Sequence, residues 1–154
     1  MEKSRFVYVT YIRTTPEKLW QALTNPEFTR RYFFGTTHES QWKVGASWRM
    51  VIPDGRVADA GEVMEVEPYK RIVLKWRHEL SAELRAEGYS RMTYEIEQHG
   101  KSSVKFTVTH EMDKPASELI DGVSSGWPPI LSSLKSFLET GEPLEDTKEW
   151  PKDL

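Results

Sequence analysis

The order of hydrophobic periodicities along this chain predicts an α+β fold, a bent antiparallel sheet whose apolar face is covered by one long carboxy-terminal helix. Three observations carry that reading. Residues Phe6–Thr14 are β-branched and aromatic and precede two helical segments, each opening on a proline. Stretches between His38 and Met112 alternate apolar and polar residues, with turn residues between them. Helical spacing returns after Pro115. The chain's 154 residues match one compact domain, expected over 1–141, with a polar tail at 142–154.

Each element follows from local chemistry. The first strand ends at Thr14-Thr15-Pro16, where Thr15 can cap a helix and Pro16, which has no N–H to lose, can begin it. Leu19, Trp20, Ala22 and Leu23 then share one helical side. Asn25-Pro26 repeats the signal for a second short helix carrying Phe28, Tyr32 and Phe33.

Six strands are expected next, separated by Lys43-Val44-Gly45, Pro53-Asp54-Gly55, Pro68-Tyr69-Lys70, a polar connection from Ser81 to Gly88, and His99-Gly100-Lys101. Asp54-Gly55 is a type I′ hairpin signal, since that turn needs positive φ at both central residues. Trp48, Met50 and Ile52, then Ile72, Leu74 and Trp76, then Met92, Tyr94 and Ile96, then Val104, Phe106 and Val108 form the inward rows. Gly61, inside a strand, predicts a bulge or sharp bend. Trp127, Ile130, Leu131, Leu134, Phe137 and Leu138 make the stripe of the last helix, which Gly141 stops. Pro128-Pro129 predicts a kink or fresh start within it.

Composition excludes several classes of function. Lys plus Arg total 21 against 24 Asp plus Glu, a net charge of -3, so no nucleic-acid partner is expected. The absence of cysteine removes disulfides, thiolate metal sites and thiol nucleophiles, and is compatible with a reducing, cytoplasmic location. The amino terminus has no signal-peptide pattern. The longest uncharged run, Gly122–Leu134, is too short and too rich in Gly, Pro and Ser to span a bilayer, so no membrane partner is expected either. There is no G-x-S-x-G, P-loop, G-x-G-x-x-G or H-E-x-x-H motif, so no cofactor, metal or catalytic residue is assigned. Six Trp, six Tyr and six Phe in a chain only 38% hydrophobic are the conspicuous excess.

The chain resembles the START-like, helix-grip (SRPBCC) superfamily, and within it proteins similar to the carboxy-terminal domain of the heat-shock-protein-ninety ATPase activator. The resemblance rests on Thr15-Pro16-Glu17-Lys18-Leu19-Trp20, Gly61-Glu62-Val63, Arg71-Ile72-Val73-Leu74-Lys75-Trp76, Thr107-Val108-Thr109-His110-Glu111, and Gly126-Trp127 with Ile130, Leu131 and Leu134. It implies a curved seven-stranded sheet gripping the long helix, with an apolar cavity between them in many members. It implies no single activity, because the fold hosts carriers, receptors, cyclases and chaperone regulators.

Candidate site residues follow from parity. Tyr8, Trp48, Trp76, Tyr94, Phe106 and Trp127 all face inward, with Met50, Leu74, Met92 and Leu131 among them. Such a set can line a pocket for a small hydrophobic or aromatic ligand, and the same set can fill an ordinary core. His78 and His110 continue the inward rows toward the expected open end, either as partners of a polar group on a ligand or as satisfied strand-end residues. Asp59 is the one carboxylate that can fall among apolar positions, with its direction left open by the suspected bulge at Gly61. Val7, Val9 and Tyr11 form an outward apolar strip, either a surface for a chaperone or a second copy, or ground covered by Leu144 or Trp150 of the tail.

The leading expectation is therefore non-enzymatic binding of a hydrophobic ligand between sheet and helix. Chaperone ATPase regulation through a protein surface stands second, because the eukaryotic activator has an additional amino-terminal domain without a counterpart here. A cyclase or hydrolase using His78, His110 or Tyr94 stands third, since no nucleophile–base–orienter set is visible.

Overall fold

Capping chemistry sets the first third of the protein, whose computed structural model describes residues 3–151. Strand β1 (Ser4–Ile12) leads to Thr15, which accepts the Lys18 N–H at the start of α1 (Pro16–Thr24). Asn25 ends α1 and caps α2 (Pro26–Tyr32), its side chain accepting the Glu27 N–H. The Tyr32 hydroxyl donates to the Ala22 carbonyl at 2.8 Å and ties the two helices together.

The meander then runs through β2 (Thr37–Ser40), β3 (Ser47–Val51), β4 (Val57–Glu67), β5 (Arg71–His78), β6 (Ser90–His99) and β7 (Ser103–Met112). Every neighbouring pair is antiparallel, and β1 returns beside β7, giving one seven-stranded sheet in the order β1-β7-β6-β5-β4-β3-β2. Cross-strand registers align the inward rows. Phe6, His110, Met92 and Leu74 lie opposite one another, as do Tyr8, Val108, Tyr94 and Ile72. The long helix α4 (Glu118–Thr140) begins at Ser117, whose side chain accepts the Ile120 N–H, and ends at Gly141 with φ 87°. Its Trp127, Ile130, Leu131 and Leu134 are buried against the sheet.

Local expectations are corrected at four places. The connection between β5 and β6 contains a short helix α3 (Ala82–Ala86), capped by Ser81, where only a polar link is expected. Helix α4 continues through Pro128 and Pro129 without a fresh start. The two missing N–H groups leave intrahelical acceptors at Ser124 and Ser125, half-buried and exposed, while the buried stripe on the other side holds both halves to the sheet. At Asp54-Gly55 only Gly55 has positive φ, and the Ile52 N–H donates to the Arg56 carbonyl, so the loop is a three-residue one and not type I′.

Gly61 is not bulged. It pairs with Trp48 on one side and Trp76 on the other, and a Cβ there would lie 1.7 Å from the Lys75 carbonyl oxygen. Its role is close approach: the Trp48 indole crosses over the glycine to donate to that same carbonyl at 2.9 Å. The bulges fall beside it, with Met64 the extra residue against β5 and Ala58 the extra residue against β3.

Residues 142–151 fold back onto the domain. The Leu144 N–H and Thr147 hydroxyl both donate to Ser133 Oγ, at 2.9 and 2.6 Å, and the Phe34 N–H donates to the Thr147 carbonyl at 2.7 Å. Thr147 is buried while Leu144 stays 41% exposed. Neither Leu144 nor Trp150 covers Val7, Val9 and Tyr11, which remain 48%, 45% and 46% exposed along the edge strand. No helix among the described residues is long and apolar enough to cross a membrane.

Candidate functional site

A glycine pair on α4 opens space against the sheet. Gly122 and Gly126 stand one turn apart on the same helix face, and a Cβ at either would meet nothing within 4 Å. Beneath them, between α4 and the β3–β5 end of the sheet, lies a cavity of about 250 Å³. Its floor is Met50 and Trp76, its roof Val123, Trp127 and Ile130, and its sides Phe33, Phe34, Leu84 and Leu119. Trp150 and Pro151, delivered by the folded-back tail, complete the rim. Phe34 takes up its place with φ 53°, a left-handed conformation unusual for an aromatic residue and anchored by the hydrogen bond to Thr147.

The polar members are Asp59 and His78. Asp59 is only 7% exposed, although it lies on a strand with one wet face. Regular register explains this, because Asp59 opposes Met50 on one side and His78 on the other and continues the inward row of Gly61 and Val63, while the bulge at Ala58 buries that neighbour as well. Asp59 Oδ1 accepts the Trp76 indole N–H at 2.9 Å and lies 3.2 Å from His78 Nδ1. A carboxylate only accepts, so this contact assigns the proton to Nδ1. Asp59 Oδ2 has no hydrogen-bond partner among the described residues, and Asp59 forms part of the cavity wall.

A second polar chain lies deeper. The Trp127 indole N–H donates to His110 Nδ1 at 3.2 Å, which puts the ring proton on Nε2, 2.7 Å from Ser90 Oγ. Ser90 in turn donates to the Trp76 carbonyl at 3.0 Å. This chain ties the helix to β5, β6 and β7 and uses both His110 nitrogens. Burial pushes His110 down to about 3, so it is a neutral bridge near neutral pH. His38, fully buried behind Phe33 with ring centroids 4.5 Å apart, is likewise pushed down to about 3 by burial. Its Nε2 lies 3.1 Å from Thr36 Oγ1.

The cavity wall brings together Met50, Trp76, His78 and Trp127 of the expected set. Trp48 packs against Trp76 at a tilt, 4.6 Å between ring centroids, and supports the floor from below. Leu74, Met92, Tyr94, Phe106 and Leu131 are packed core, and Tyr8 is half-buried at its margin. His110 is fully enclosed, not at an open end, and shares no hydrogen bond with His78. Burial also raises the Tyr94 phenol, which disfavours it as an acid or base. Sequence reasoning missed Phe33, Phe34, Leu84 and the tail residues as wall. It passed over Gly122 and Gly126, whose four-residue spacing on a helix is the signal that could have located the roof. No Ser, Thr, Cys, Lys or Arg lines the cavity beside the Asp59–His78 pair among the described residues.

Known proteins share this architecture. A protein from Cytophaga hutchinsonii is 27% identical, with a TM-score of 0.70, over 90% of this chain and 96% of its own. A Mesorhizobium loti protein is 23% identical, with a TM-score of 0.73, over 87% and 96% of the two chains. An HSP90 activator from Plasmodium falciparum is 23% identical, with a TM-score of 0.72, over 88% and 96%. No curated protein sequence matches the chain. Residues 13–139 match the family described as Activator of Hsp90 ATPase homolog 1-like protein, which is most of the sheet together with nearly all of α4. With that match, the helix-grip topology and the sheet-to-helix cavity in place, the chain belongs to the family of Activator of Hsp90 ATPase homolog 1-like proteins.

Proposed function

We propose that this protein is a cytoplasmic, non-enzymatic binding protein that holds a small hydrophobic or aromatic ligand between α4 and the sheet. The observation that carries the reading is the cavity itself, about 250 Å³ and walled almost wholly by aromatic and aliphatic side chains. A space of about 250 Å³ suits a one- or two-ring molecule and lies near the lower end of small-molecule sites. Gly122 and Gly126, exposed and half-buried, border its mouth and leave it unobstructed by side chains, at the expense of helix propensity. The test is native mass spectrometry of the protein purified from its own cell, beside Gly126→Leu, whose side chain would occupy the space. A bound small molecule lost in the variant supports the reading. A protein free of adducts, and inert to a panel of one- and two-ring compounds, contradicts it.

A second reading rests on a different observation. Val7, Val9 and Tyr11 are nearly half exposed on β1, an edge strand, and such a strip suits a protein partner. The Plasmodium relative is described as an HSP90 activator, and a Colwellia psychrerythraea relative as a dimer. Docking to the cognate chaperone through this strip predicts a change in chaperone ATPase rate that Val9→Lys removes. An unchanged rate at saturating protein rules it out.

A further inference from the structure

From the Asp59 geometry we infer that the ligand carries a hydrogen-bond donor, foremost an amine, which docks on Asp59 Oδ2. The inference rests on the cavity-binding reading above and adds the chemistry of the ligand's polar end. Asp59 is buried to 7% exposure, with Oδ1 occupied by the Trp76 indole and the His78 imidazole. These two contacts fix the carboxyl group in one orientation and leave Oδ2 without a partner among the described residues. Oδ2 is not sealed off as the unpaired Trp150 indole nitrogen is, so a donor on a ligand can reach it from the cavity and add a charge-assisted hydrogen bond.

The surroundings select the sign of charge. Neither Lys nor Arg lines the cavity among the described residues, so an acidic ligand such as a fatty acid would set its carboxylate beside Asp59 with no compensating cation. A protonated amine meets the opposite situation. It faces a carboxylate whose charge it neutralises. His78 holds Oδ1 and is a positioning residue for Asp59, reached from the rim.

A matched series with one ring system isolates each part of the claim: 2-naphthylmethylamine, 2-naphthylmethanol, 2-methylnaphthalene and 2-naphthoate, titrated calorimetrically into the full chain. The expected order is amine, alcohol, methyl, with 2-naphthoate weakest, and the amine about ten- to a hundredfold tighter than the methyl compound. Asp59→Asn and Asp59→Leu should abolish the advantage of the amine while leaving methylnaphthalene bound, with circular dichroism and unfolding confirming that each variant is folded. Should Asp59→Leu fail to fold, Asp59→Asn alone carries the comparison. Equal binding of all four compounds, or tighter binding of 2-naphthoate, overturns the donor inference and leaves the cavity reading intact. Absence of binding by every member overturns both.

Discussion

At the scale of single residues, His110 shows how parity can be right while the role differs. Its inward direction follows from Val104-Phe106-Val108-His110, and the structure keeps it. Its depth does not follow from its own strand, because Met92 and Phe6 flank it and Trp127 covers it from the helix. Replacing His110 with Phe keeps a ring but strands the Trp127 N–H, and urea unfolding should report a loss of about 2–5 kcal/mol. A cycle with Trp127→Phe should then show coupling of about 0.5–3 kcal/mol, since the two deletions remove one bond. Additive losses would mean that the bond contributes nothing. Asp59 was legible only as an open question. Its inward direction follows from pairing with Met50 and His78, and the bulges at Ala58 and Met64 on either side break the parity along β4, which no window of sequence around Asp59 contains.

At the scale of elements, starts and stops were legible wherever the chemistry is local. Thr15-Pro16, Asn25-Pro26 and Gly141 act through bonds to residues two to four positions away, and each marks a helix end. The Pro128-Pro129 pair starts no new helix for the opposite reason, because packing of Trp127, Ile130, Leu131 and Leu134 outweighs the two lost hydrogen bonds. The glycines divide into two kinds. Gly61→Ala sets a Cβ 1.7 Å from a backbone oxygen, and we expect a loss of more than about 3 kcal/mol or failure to fold. Gly126→Ala meets open space on a helix and should stabilise by about 0.5–1 kcal/mol. Denaturation midpoints of the two variants check both, and destabilisation by Gly126→Ala would mean that the helix face is closed in solution.

At the scale of the whole molecule, the antiparallel meander and the covering helix were legible because consecutive strands joined by short turns pair with their neighbours. The docking of residues 142–151 was not. It depends on Ser133, a polar residue on a helix, meeting Thr147 and Leu144 after the chain reverses. Global stability should also depend on pH in a definite direction. His38 and His110 are pushed from 6.5 to about 3 in the folded protein, so the unfolded chain binds the extra protons. Their contribution is complete above 6.5 and is lost as pH falls from 6.5 toward 3, with a slope approaching about 3 kcal/mol per pH unit for the pair. Glu79 and Glu139, held low by hydrogen bonds from Arg77 and Lys135, join only below their ordinary 4.5. Urea midpoints should therefore fall between about pH 6.5 and about pH 5, and a flat profile there would contradict neutral burial of the two histidines.

The central claim is that the space between α4 and the sheet is hollow, apolar and able to hold a guest. Xenon enters dry cavities and avoids polar, water-filled ones. A crystal of the protein pressurised with xenon tests the claim most directly. A strong peak is expected between Gly126 and Trp76, displaced in Gly126→Leu. A space closed by Trp127 and Trp150, or filled by a chain of ordered waters with no xenon, would contradict it.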